Sequence, residues 1–284
     1  MKATGEWVRV SKAVPCAICQ RPDWCTRTAD GKIAACMRVQ SDRPMKNGSH
    51  LHRIADASRR TMPPAKPAKP PLTIDAGAIH DALRLSTPPA DLLAMSERLG
   101  VSEYSLDCIG AAWHAEKLAW AFPMRDAAGL VVGIRLRADD GRKWAVTGSR
   151  AGLFYDPFMD VPEDRVLYVA EGPTDTAAAI TLGLPCIGRH ACRGQVAAVA
   201  ALARRMGFRR AVIISDNDAA KSDGSYPGQE GAEELALALP LPTKVITPPG
   251  KDLRAWLQAG GNVAVFRVLE RQCIWRFPIC QTVL

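Results

Sequence analysis

Hydrophobic residues follow first a helical and then a strand-like spacing in the middle of the chain. The spacing predicts two helices, Ala76–Leu85 and Ala90–Leu99, and Gly100 stands where the second helix would end. Two runs of strand-like composition follow, Leu118–Met124 and Leu130–Ala138, and the DAAG segment between them is typical of a hairpin loop. This region therefore predicts a small mixed α+β subdomain.

From Arg165 onward, short apolar runs alternate with helical segments. The predicted strands are Val166–Ala170, Arg210–Ser215 and Lys244–Thr247, and the predicted helices cover residues 174–182, 195–206 and 230–239. Strands that alternate with helices in this way are typical of βαβ units in a mostly parallel sheet. The sequence therefore predicts an α/β fold with helices that flank the sheet.

The rest of the chain divides by composition. Residues 1–54 are rich in cysteine and basic residues, and residues 55–74 form a Pro/Ala/Lys linker with too few apolar groups to pack. Beyond the linker we expect a first subdomain over residues 75–160 and a catalytic domain over residues 161–262. Residues 263–284 form a carboxyl-terminal tail to which the sequence assigns no role.

Apolar residues make up 48% of the chain, which is enough to bury a core. No window holds the roughly 18 uninterrupted apolar residues of a membrane-spanning helix. The amino-terminal sequence MKATGEWVRVSK has no apolar run before a cleavage site, so it does not have the form of a secretory signal. We therefore expect a soluble, cytoplasmic protein with no membrane partner.

The basic residues are concentrated near the amino terminus. The net charge is +8, and residues 1–70 hold 14 Lys and Arg against 5 Asp and Glu, which leaves the remainder of the chain close to neutral. A basic excess in one quarter of the chain indicates a polyanionic partner. A solvated basic arm that only aids solubility is the alternative.

Residues 1–54, called the head from here on, contain four cysteines that are spaced as metal ligands: Cys16, Cys19, Cys25 and Cys36. Thiols stay reduced inside a cell, so a cluster of this kind indicates a metal before it indicates disulfides. Four thiolates satisfy the closed tetrahedral geometry of structural Zn²⁺. His50 or His52 could replace one cysteine, and unligated thiols in a small apolar core are the other alternative.

Basic and aromatic side chains surround these cysteines. Arg21 and Arg38 could contact phosphates, and Trp24 could stack on a base, as in a surface that binds single-stranded nucleic acid. Trp24 could equally cover the metal site.

Carboxylates follow the predicted parallel strands. Glu171 comes just after the first strand and Asp175 lies in the next helical turn, Asp216 and Asp218 follow the second strand, and Asp252 follows the third. The carboxyl ends of such strands face one crevice, where ligands bind. Clustered carboxylates repel one another unless cations are present, and few oxygen ligands suit Mg²⁺ or Mn²⁺. Taken singly, Asp175 and Asp218 could instead be helix caps or turn residues.

The elements EGPTD, DND and GKD resemble the Toprim domain, which bacterial-type primases share with topoisomerases and some nucleases. The cysteine head before it makes the chain similar to a bacterial-type DNA primase, particularly to the compact phage and plasmid forms. The segment FPMRDAAGLVVGIRLRADDGRKW is similar to the basic hairpin that precedes Toprim in those enzymes. The resemblance implies that Arg135, Arg137, Lys143 and, in the GKD element, Lys251 contact nucleic acid or nucleotide phosphates.

The resemblance also implies a fold and an activity. The fold would be a Toprim-type parallel sheet with flanking helices, preceded by the α+β subdomain and a zinc-ribbon-like module. The enzyme would make short RNA primers on single-stranded DNA from ribonucleoside triphosphates, beside a separate replicative helicase. Glu171 would act near the metals and in acid–base chemistry, Asp216 and Asp218 would bind Mg²⁺, Asp175 would lie close by, and Asp252 would complete the acidic set.

Two positions depart from the primase pattern, and two other functions stay open. Many primases carry a second aspartate where this chain has Arg254, and the loop after Asp218 is longer than usual, so that Asp223 is either a further ligand or a solvated residue. A Toprim-type metal-dependent nuclease is one alternative function. A zinc-headed DNA-binding accessory protein without catalysis is the other.

Overall fold

The computed structural model describes residues 6–54, 73–222 and 224–278. The chain divides into two compact units, Met1–Pro70 and Pro71–Leu284. Residues 55–72 of the expected linker, Asp223 and the last six residues lie outside the described residues, and the domain boundaries stay predictions. Within the described residues, every helix is too short or too polar to cross a membrane.

The first unit contains a four-stranded antiparallel sheet in its described part. The strands pair in chain order and are β1 (Trp7–Arg9), β2 (Thr26–Thr28), β3 (Ile33–Cys36) and β4 (His50–Arg53). Three of the four buried residues in the apolar cluster of the described part of this unit are cysteines. So small an apolar core cannot stabilise a fold alone, and bound metal is the usual supplement.

The second unit has nine strands and eight α-helices in its described part. The strands are β5 (Ala112–His114), β6 (Ala119–Arg125), β7 (Val131–Ala138), β8 (Lys143–Ala145), β9 (Leu153–Phe154), β10 (Val166–Glu171), β11 (Cys186–Arg189), β12 (Arg210–Ile214) and β13 (Thr243–Ile246). The helices are α1 (Ala76–Ser86), α2 (Pro89–Leu99), α3 (Glu103–Cys108), α4 (Gly172–Thr181), α5 (Val196–Met206), α6 (Pro227–Ala238), α7 (Leu253–Gln258) and α8 (Val263–Gln272).

These nine strands form one sheet with a parallel and an antiparallel half. Its order is β13-β12-β10-β11-β9-β6-β7-β8, and β5 pairs with the free stretch of β6. Strands β10 to β13 pair in parallel, whereas β9 pairs antiparallel with both β11 and β6 and so joins the halves. The predicted α/β fold class is confirmed, and the predicted hairpin is the centre of the antiparallel half.

Helices cover both faces of the parallel half. Val166 and Tyr168 of β10 pack in one apolar cluster with α2, α4 and α8, whereas Leu167 and Val169 pack in another with α5 and α6. Successive residues of a strand point to opposite faces. A strand buried on both faces therefore needs an uninterrupted apolar run, and the sequence of β10 is such a run.

Residues after α7 also pack on this sheet. Phe266 of α8 is fully buried, and Glu270 accepts a hydrogen bond from the Tyr168 hydroxyl at 3.0 Å. Beyond the helix, Thr243 and Arg276 exchange two backbone hydrogen bonds of 2.8 Å, which extend the sheet beside β13. The segment to which the sequence assigns no role is thus, as far as residue 278, part of the fold.

Candidate active site and metal centre

The four head cysteines converge. Their Sγ atoms lie within 4.8 Å of one another, with Cys19 Sγ 3.7 Å and Cys36 Sγ 3.9 Å from Cys25 Sγ. A tetrahedral Zn²⁺ with Zn–S bonds of about 2.3 Å requires sulfurs about 3.8 Å apart. The cluster therefore fits a structural zinc ion, and Cys16, Cys19, Cys25 and Cys36 would hold it.

Backbone N–H groups and burial both affect the ionisation of these cysteines. The N–H groups of Arg38 and Val39 donate to Cys36 Sγ at 3.4 and 3.3 Å, which favours the thiolate. Burial raises the pKa of Cys16 to about 12, with a further increase from the charge of Cys36. Four ionised thiols in this position require a cation.

Neither head histidine replaces a cysteine. His50 Nδ1 lies 3.1 Å from the backbone of Ser41, and His52 Nε2 lies 3.0 Å from the carbonyl oxygen of Val39. Among the described residues, the group tight enough to hold a metal ion consists of the four cysteines alone.

The guanidinium of Arg38 lies against the thiolates. Its Nη1 is 3.9 Å from Cys19 Sγ and 3.8 Å from Cys25 Sγ, and its Nη2 pairs with Asp23 at 2.7 Å. The Trp24 ring stacks 5.4 Å from this guanidinium and is 79% exposed. Of the two roles that the sequence allows for Trp24, its exposure favours stacking on a ligand. Arg21 is also exposed.

Strand ends position the carboxylates in the second unit. Glu171 ends β10, and Gly172 turns the chain into α4 with a φ of 78° that favours glycine. Asp175 lies in the first turn of α4. Asp216 follows β12, which is parallel to β10, and Asp252 is the N-cap residue of α7 beyond β13.

The pKa shifts indicate that these side chains share one electrostatic environment. Burial raises the pKa of Asp216 to about 8, and the charges of Asp175, Glu171, Asp252 and Asp218 raise it further. Burial raises the pKa of Asp175 to about 7, with an added increase from Asp252. A divalent cation relieves repulsion of this kind, and carboxylate oxygens are ligands of the type that Mg²⁺ and Mn²⁺ prefer; among the described residues, however, these oxygens do not converge on one point as the four cysteine sulfurs do.

Helix starts hold three of the carboxylates. Asp175 accepts a hydrogen bond from the Arg254 N–H at 2.9 Å, and Asp252 accepts one from the Ala255 N–H at 2.6 Å. Asp218 Oδ2 accepts one from the Gly228 N–H at 3.1 Å. Each of these contacts uses one of the two carboxylate oxygens. The same side chain can therefore accept a hydrogen bond at a helix start and still offer its other oxygen to a ligand.

Two cations of the antiparallel half face the carboxylates. Arg137 of β7 donates to Thr174 Oγ1 at 3.0 Å, and burial lowers its pKa while Asp175 and Asp252 raise it. Lys143 of β8 lies close enough to Glu171 to oppose the increase in the pKa of Glu171 caused by burial. Arg135 lies two residues before Arg137, on the same face of β7.

The other predicted cation, Lys251, is exposed, and its carbonyl oxygen accepts a hydrogen bond from the Asn217 N–H at 2.8 Å. No charge contact of its ammonium group with the carboxylates is found in the described part of the chain.

Two residues near the carboxylates are not among those that the sequence predicts. Arg189, 3% exposed, ends β11 directly beside Glu171 in the strand register and opposes the increase in its pKa. At Gly228 a Cβ atom would lie 2.9 Å from Asp218 Oδ2 and 3.0 Å from Asp216 Cβ. Gly228 therefore allows α6 to approach the carboxylates. The Pro-Gly pair at residues 227 and 228 is a sequence signal only for a helix start.

Comparisons with solved structures agree with this fold. No family model matches the sequence, and no curated protein matches it. The zinc-binding and RNA polymerase domains of the Aquifex aeolicus primase match 90% of this chain and 77% of their own, with 13% identity and a TM-score of 0.55. The primase fragment of the bacteriophage T7 primase-helicase protein matches 94% of this chain and 100% of its own, with 19% identity and a TM-score of 0.51.

A DnaG primase catalytic domain bound to ssDNA matches 70% of this chain and 78% of its own, with 17% identity and a TM-score of 0.53. At these identities the likeness concerns the fold. The chain has a fold similar to that of primase catalytic domains, and its cysteine cluster fits a zinc ribbon, as the motifs predict.

Proposed function

We propose that this chain is a DNA primase, which synthesises short RNA primers on single-stranded DNA during replication. One observation carries the proposal. Glu171, Asp216 and Asp218 gather at the carboxyl ends of parallel strands, beside cations from an antiparallel half, in a sheet similar to that of primase catalytic domains. Enzymes that catalyse nucleotidyl transfer use carboxylates that hold divalent ions, next to basic side chains that bind phosphates.

The reaction would join a primer 3′ hydroxyl to the α-phosphate of a ribonucleotide and release pyrophosphate. Glu171, Asp216 and Asp218 would hold the catalytic ion, with Asp175 close by and Asp252 completing the acidic set. Mg²⁺ bound there would supply the charge that lowers the pKa of the 3′ hydroxyl and neutralises the leaving pyrophosphate. Glu171, whose pKa burial raises, would accept a proton near the attacking hydroxyl.

Arginine and lysine side chains would orient the phosphates. Arg137 is fixed by Thr174, so its guanidinium needs no reordering when a nucleotide arrives. Lys143 would contact the same phosphates, and Arg135 and Lys251 would contact the template or primer backbone. Lys and Arg contacts of this kind position a nucleic acid without reading its sequence.

The first unit would bind the template. Its Zn²⁺ would hold the fold, and Trp24, Arg21 and Arg38 would contact single-stranded DNA by stacking and by charge. A separate replicative helicase would supply the single strand.

Primer synthesis on single-stranded DNA tests the proposal. The zinc-loaded chain is incubated with Mg²⁺ and labelled ribonucleotides, beside Glu171→Gln, Cys16→Ser and the matched control Glu163→Gln, whose side chain is exposed. We expect short labelled products from the wild type and from Glu163→Gln, and none from the other two variants.

Two results would contradict it. Nicking of the template that depends on Glu171, without primer products, would assign the site to a nuclease. Template binding with neither activity would leave an accessory protein.

A further inference from the structure

A group of arginines lies at the amino-terminal ends of the parallel strands, opposite the carboxylates. Arg165 immediately precedes β10 and Arg210 is the first residue of β12, whereas Glu171 and Asp216 lie at the other ends of these strands. The six residues of β10 separate the two ends by roughly 20 Å, at about 3.3 Å per residue. The arginine cluster consists of Arg165, Arg204, Arg205, Arg209 and Arg210.

Hydrogen bonds bring these arginines to one surface. The backbone N–H groups of Arg209 and Arg210 both donate to the carbonyl oxygen of Arg165, at 2.9 and 3.3 Å, which joins the starts of two strands. The Nη1 group of Arg165 donates to the carbonyl oxygen of Gly207 at 3.2 Å, and Gly207 is the C-cap residue of α5. The other two arginines lie in the last turn of this helix. The cluster therefore belongs to one end of the sheet.

All five arginines present their charge to the solvent. Each of them is exposed, and within the described residues none of them forms an ion pair with a carboxylate. Arg165, Arg205 and Arg210 donate instead to backbone carbonyl oxygens, at 3.2, 2.7 and 3.1 Å. Each of these bonds uses one of the five N–H donors of a guanidinium group. The bonds therefore fix three side chains and leave their charge and most of their donors free for a ligand.

Two exposed acidic residues, Glu163 and Asp164, precede Arg165 in the chain. Asp164 Oδ1 accepts a hydrogen bond from the Val166 N–H at 3.2 Å, so this carboxylate binds the start of β10. Five arginines against two carboxylates give a local net charge of +3, although residues 71–284 together are close to neutral. The charge of this unit is thus divided, with carboxylates at one end of the parallel strands and arginines at the other.

Stabilisation of helix ends does not account for the cluster. Helices that follow parallel strands end near the starts of the next strands, and basic residues stabilise a helix carboxyl terminus. Arg204 and Arg205 lie in the last turn of α5, but α4 and α6 have no basic residue in their last turns. Arg165, Arg209 and Arg210 lie outside the helices altogether. The positive charge is therefore larger than the helix ends require.

A polyanion with closely spaced phosphates matches this surface. Guanidinium groups bind phosphate oxygens through pairs of N–H donors, and duplex DNA carries one phosphate charge per about 1.7 Å of its axis. Sites for single strands add rings on which bases stack. The ring beside the cluster, Trp275, already lies against two cations, with Arg210 Cζ 5.4 Å and Lys244 Nζ 4.7 Å from its centroid. The surface therefore favours a duplex, which phosphate contacts alone can hold.

We infer that the arginine cluster is a separate nucleic-acid surface, which binds the phosphate backbone of duplex DNA without reading its sequence. A duplex bound there leaves the carboxylates accessible, because the two surfaces lie at opposite ends of β10. The inference goes beyond the proposed primer synthesis and does not rest on it, since the cluster contains none of the residues proposed for that reaction.

Duplex binding by charge variants tests the inference. The zinc-loaded full chain is titrated into a labelled DNA duplex at several salt concentrations, and fluorescence anisotropy gives the affinity. The test variant is Arg204→Gln/Arg209→Gln, because both side chains are exposed. Arg142→Gln/Lys117→Gln is the matched control, since it removes two exposed charges from the antiparallel half of the sheet. Arg204→Lys/Arg209→Lys keeps the charge of the test positions.

We expect the control to bind the duplex within about twofold of the wild type, and the test variant to bind it at least about tenfold more weakly. The slope of log K against log salt should become shallower by about 2 in the test variant, because each phosphate contact contributes about 0.9. The lysine variant should keep most of this slope. Equal affinities and slopes in the test and control variants would overturn the inference. A loss confined to single-stranded DNA would overturn the assignment to a duplex.

Protection of arginines from chemical modification gives a second readout, which separates this surface from the basic head. Modification by phenylglyoxal is mapped by mass spectrometry with and without the duplex. Protection of Arg165 and Arg209 supports the inference, and equal modification in both samples overturns it. This readout decides the question if the test variant loses the wild-type circular dichroism spectrum. Primer synthesis is measured in parallel: if the wild type makes no primers but the duplex protects these arginines, the proposed function fails and the inference stands.

Discussion

Arg137 of β7 donates a hydrogen bond from Nη1 to Thr174 Oγ1 in the first turn of α4, at 3.0 Å. The contact joins the antiparallel half of the sheet to the helix that carries Asp175. Burial lowers the pKa of Arg137, but arginine stays protonated in proteins. A cation is therefore fixed beside the carboxylates before a substrate arrives, which is the arrangement that electrostatic catalysis requires.

Replacing Arg137 by glutamine should lower primer synthesis about 100-fold, the effect of removing one fixed donor to a developing charge. The loss should appear in kcat as well as in KM, because the proposed role of this donor is to act on the reacting phosphate. The measurement is steady-state primer synthesis at varied ribonucleotide concentration. Arg142→Gln is the control, because Arg142 is exposed and pairs with Asp140, and it should stay within about twofold of the wild type. Equal losses of activity in both variants would mean that the positive charge of this region matters, and not the contact between Arg137 and Thr174.

Without divalent cations, the stability of the protein should fall as pH rises. The pKa of Asp216 is raised from 3.8 to about 8 in the folded state, so between these values the folded chain binds a proton that the unfolded chain does not. Unfolding then releases a proton, and stability decreases from about pH 4 to about pH 8. Asp175, with a pKa of about 7, contributes in the same direction.

Asp216→Asn should remove much of that dependence. Near pH 8 and without added Mg²⁺ we expect its free energy of unfolding to exceed that of the wild type by about 1–2 kcal/mol, a value reduced for solvent screening at this partly exposed group. The corresponding rise in Tm is about 2–8 °C. Thermal melts at a series of pH values measure it, with Glu163→Gln as the control. Mg²⁺ should raise the Tm of the wild type more than that of Asp216→Asn, and equal responses would contradict the assignment of Asp216 as a ligand.

Burial on both faces made the parallel strands predictable. A strand such as β10 must be apolar at every position, so its sequence is distinctive, and the carboxylate at its end can be read directly. Strand β9 contains two residues, and strand β11 has two apolar residues followed by a glycine and an arginine, so neither strand shows an apolar run in the sequence. Arg189 was missed for this reason, since it is a site residue only because β11 lies beside β10.

Contacts between elements that are far apart in the chain could likewise not be predicted from the sequence. Position 254 is visible as a departure from the primase pattern, but its contact with Asp175 depends on the packing of α7 against α4. The sequence also left open whether a histidine replaces a zinc ligand. The pairing of β3 with β4 decides it, because it turns the His50 and His52 rings to backbone partners.

Cys36→Ser should abolish stoichiometric zinc binding. Cys36 Sγ accepts two backbone N–H bonds and lies 3.9 Å from Cys25 Sγ, and a serine hydroxyl is a poor zinc ligand at neutral pH. Because metal binding supplies folding free energy for small zinc modules, the amino-terminal unit should become sensitive to protease. Zinc released by a thiol reagent measures the metal. His50→Ala is the control and should retain one zinc per chain; zinc loss in that variant would contradict the four-cysteine site.

Gly228→Ala should impair the metal site although alanine favours helices. Its Cβ would meet Asp218 Oδ2 at 2.9 Å and the Asp216 carbonyl oxygen at 3.1 Å, so the Asp218 carboxylate and the backbone of Asp216 must shift. We expect Mn²⁺ affinity to fall at least tenfold, or by about 1.4 kcal/mol, in a titration of the zinc-loaded chain.

Gly77→Ala is the matched control for Gly228→Ala. Gly77 is likewise the second residue of its helix, α1, and there a Cβ would meet Asp75 Oδ1 at an ordinary 3.4 Å. This substitution should raise the free energy of unfolding by about 0.5–1 kcal/mol and leave Mn²⁺ binding unchanged. If Gly228→Ala binds Mn²⁺ as tightly as Gly77→Ala does, close approach of α6 is not what shapes the site.

Trp24→Asn should weaken binding of single-stranded DNA without unfolding the zinc module. Trp24 is 79% exposed and has a φ of 65°, a conformation that asparagine adopts more readily than a bulky residue. The variant should therefore be at least as stable as the wild type and keep its zinc. Loss of one stacked base costs about 1–3 kcal/mol, or about 5- to 150-fold in Kd. Fluorescence anisotropy of a labelled oligonucleotide measures this loss.

Trp24→Phe should recover most of the affinity for single-stranded DNA. Val14→Ala, at another exposed apolar position of the same unit, should not change that affinity. Unchanged affinity in Trp24→Asn would mean that the exposed ring does not contact the template.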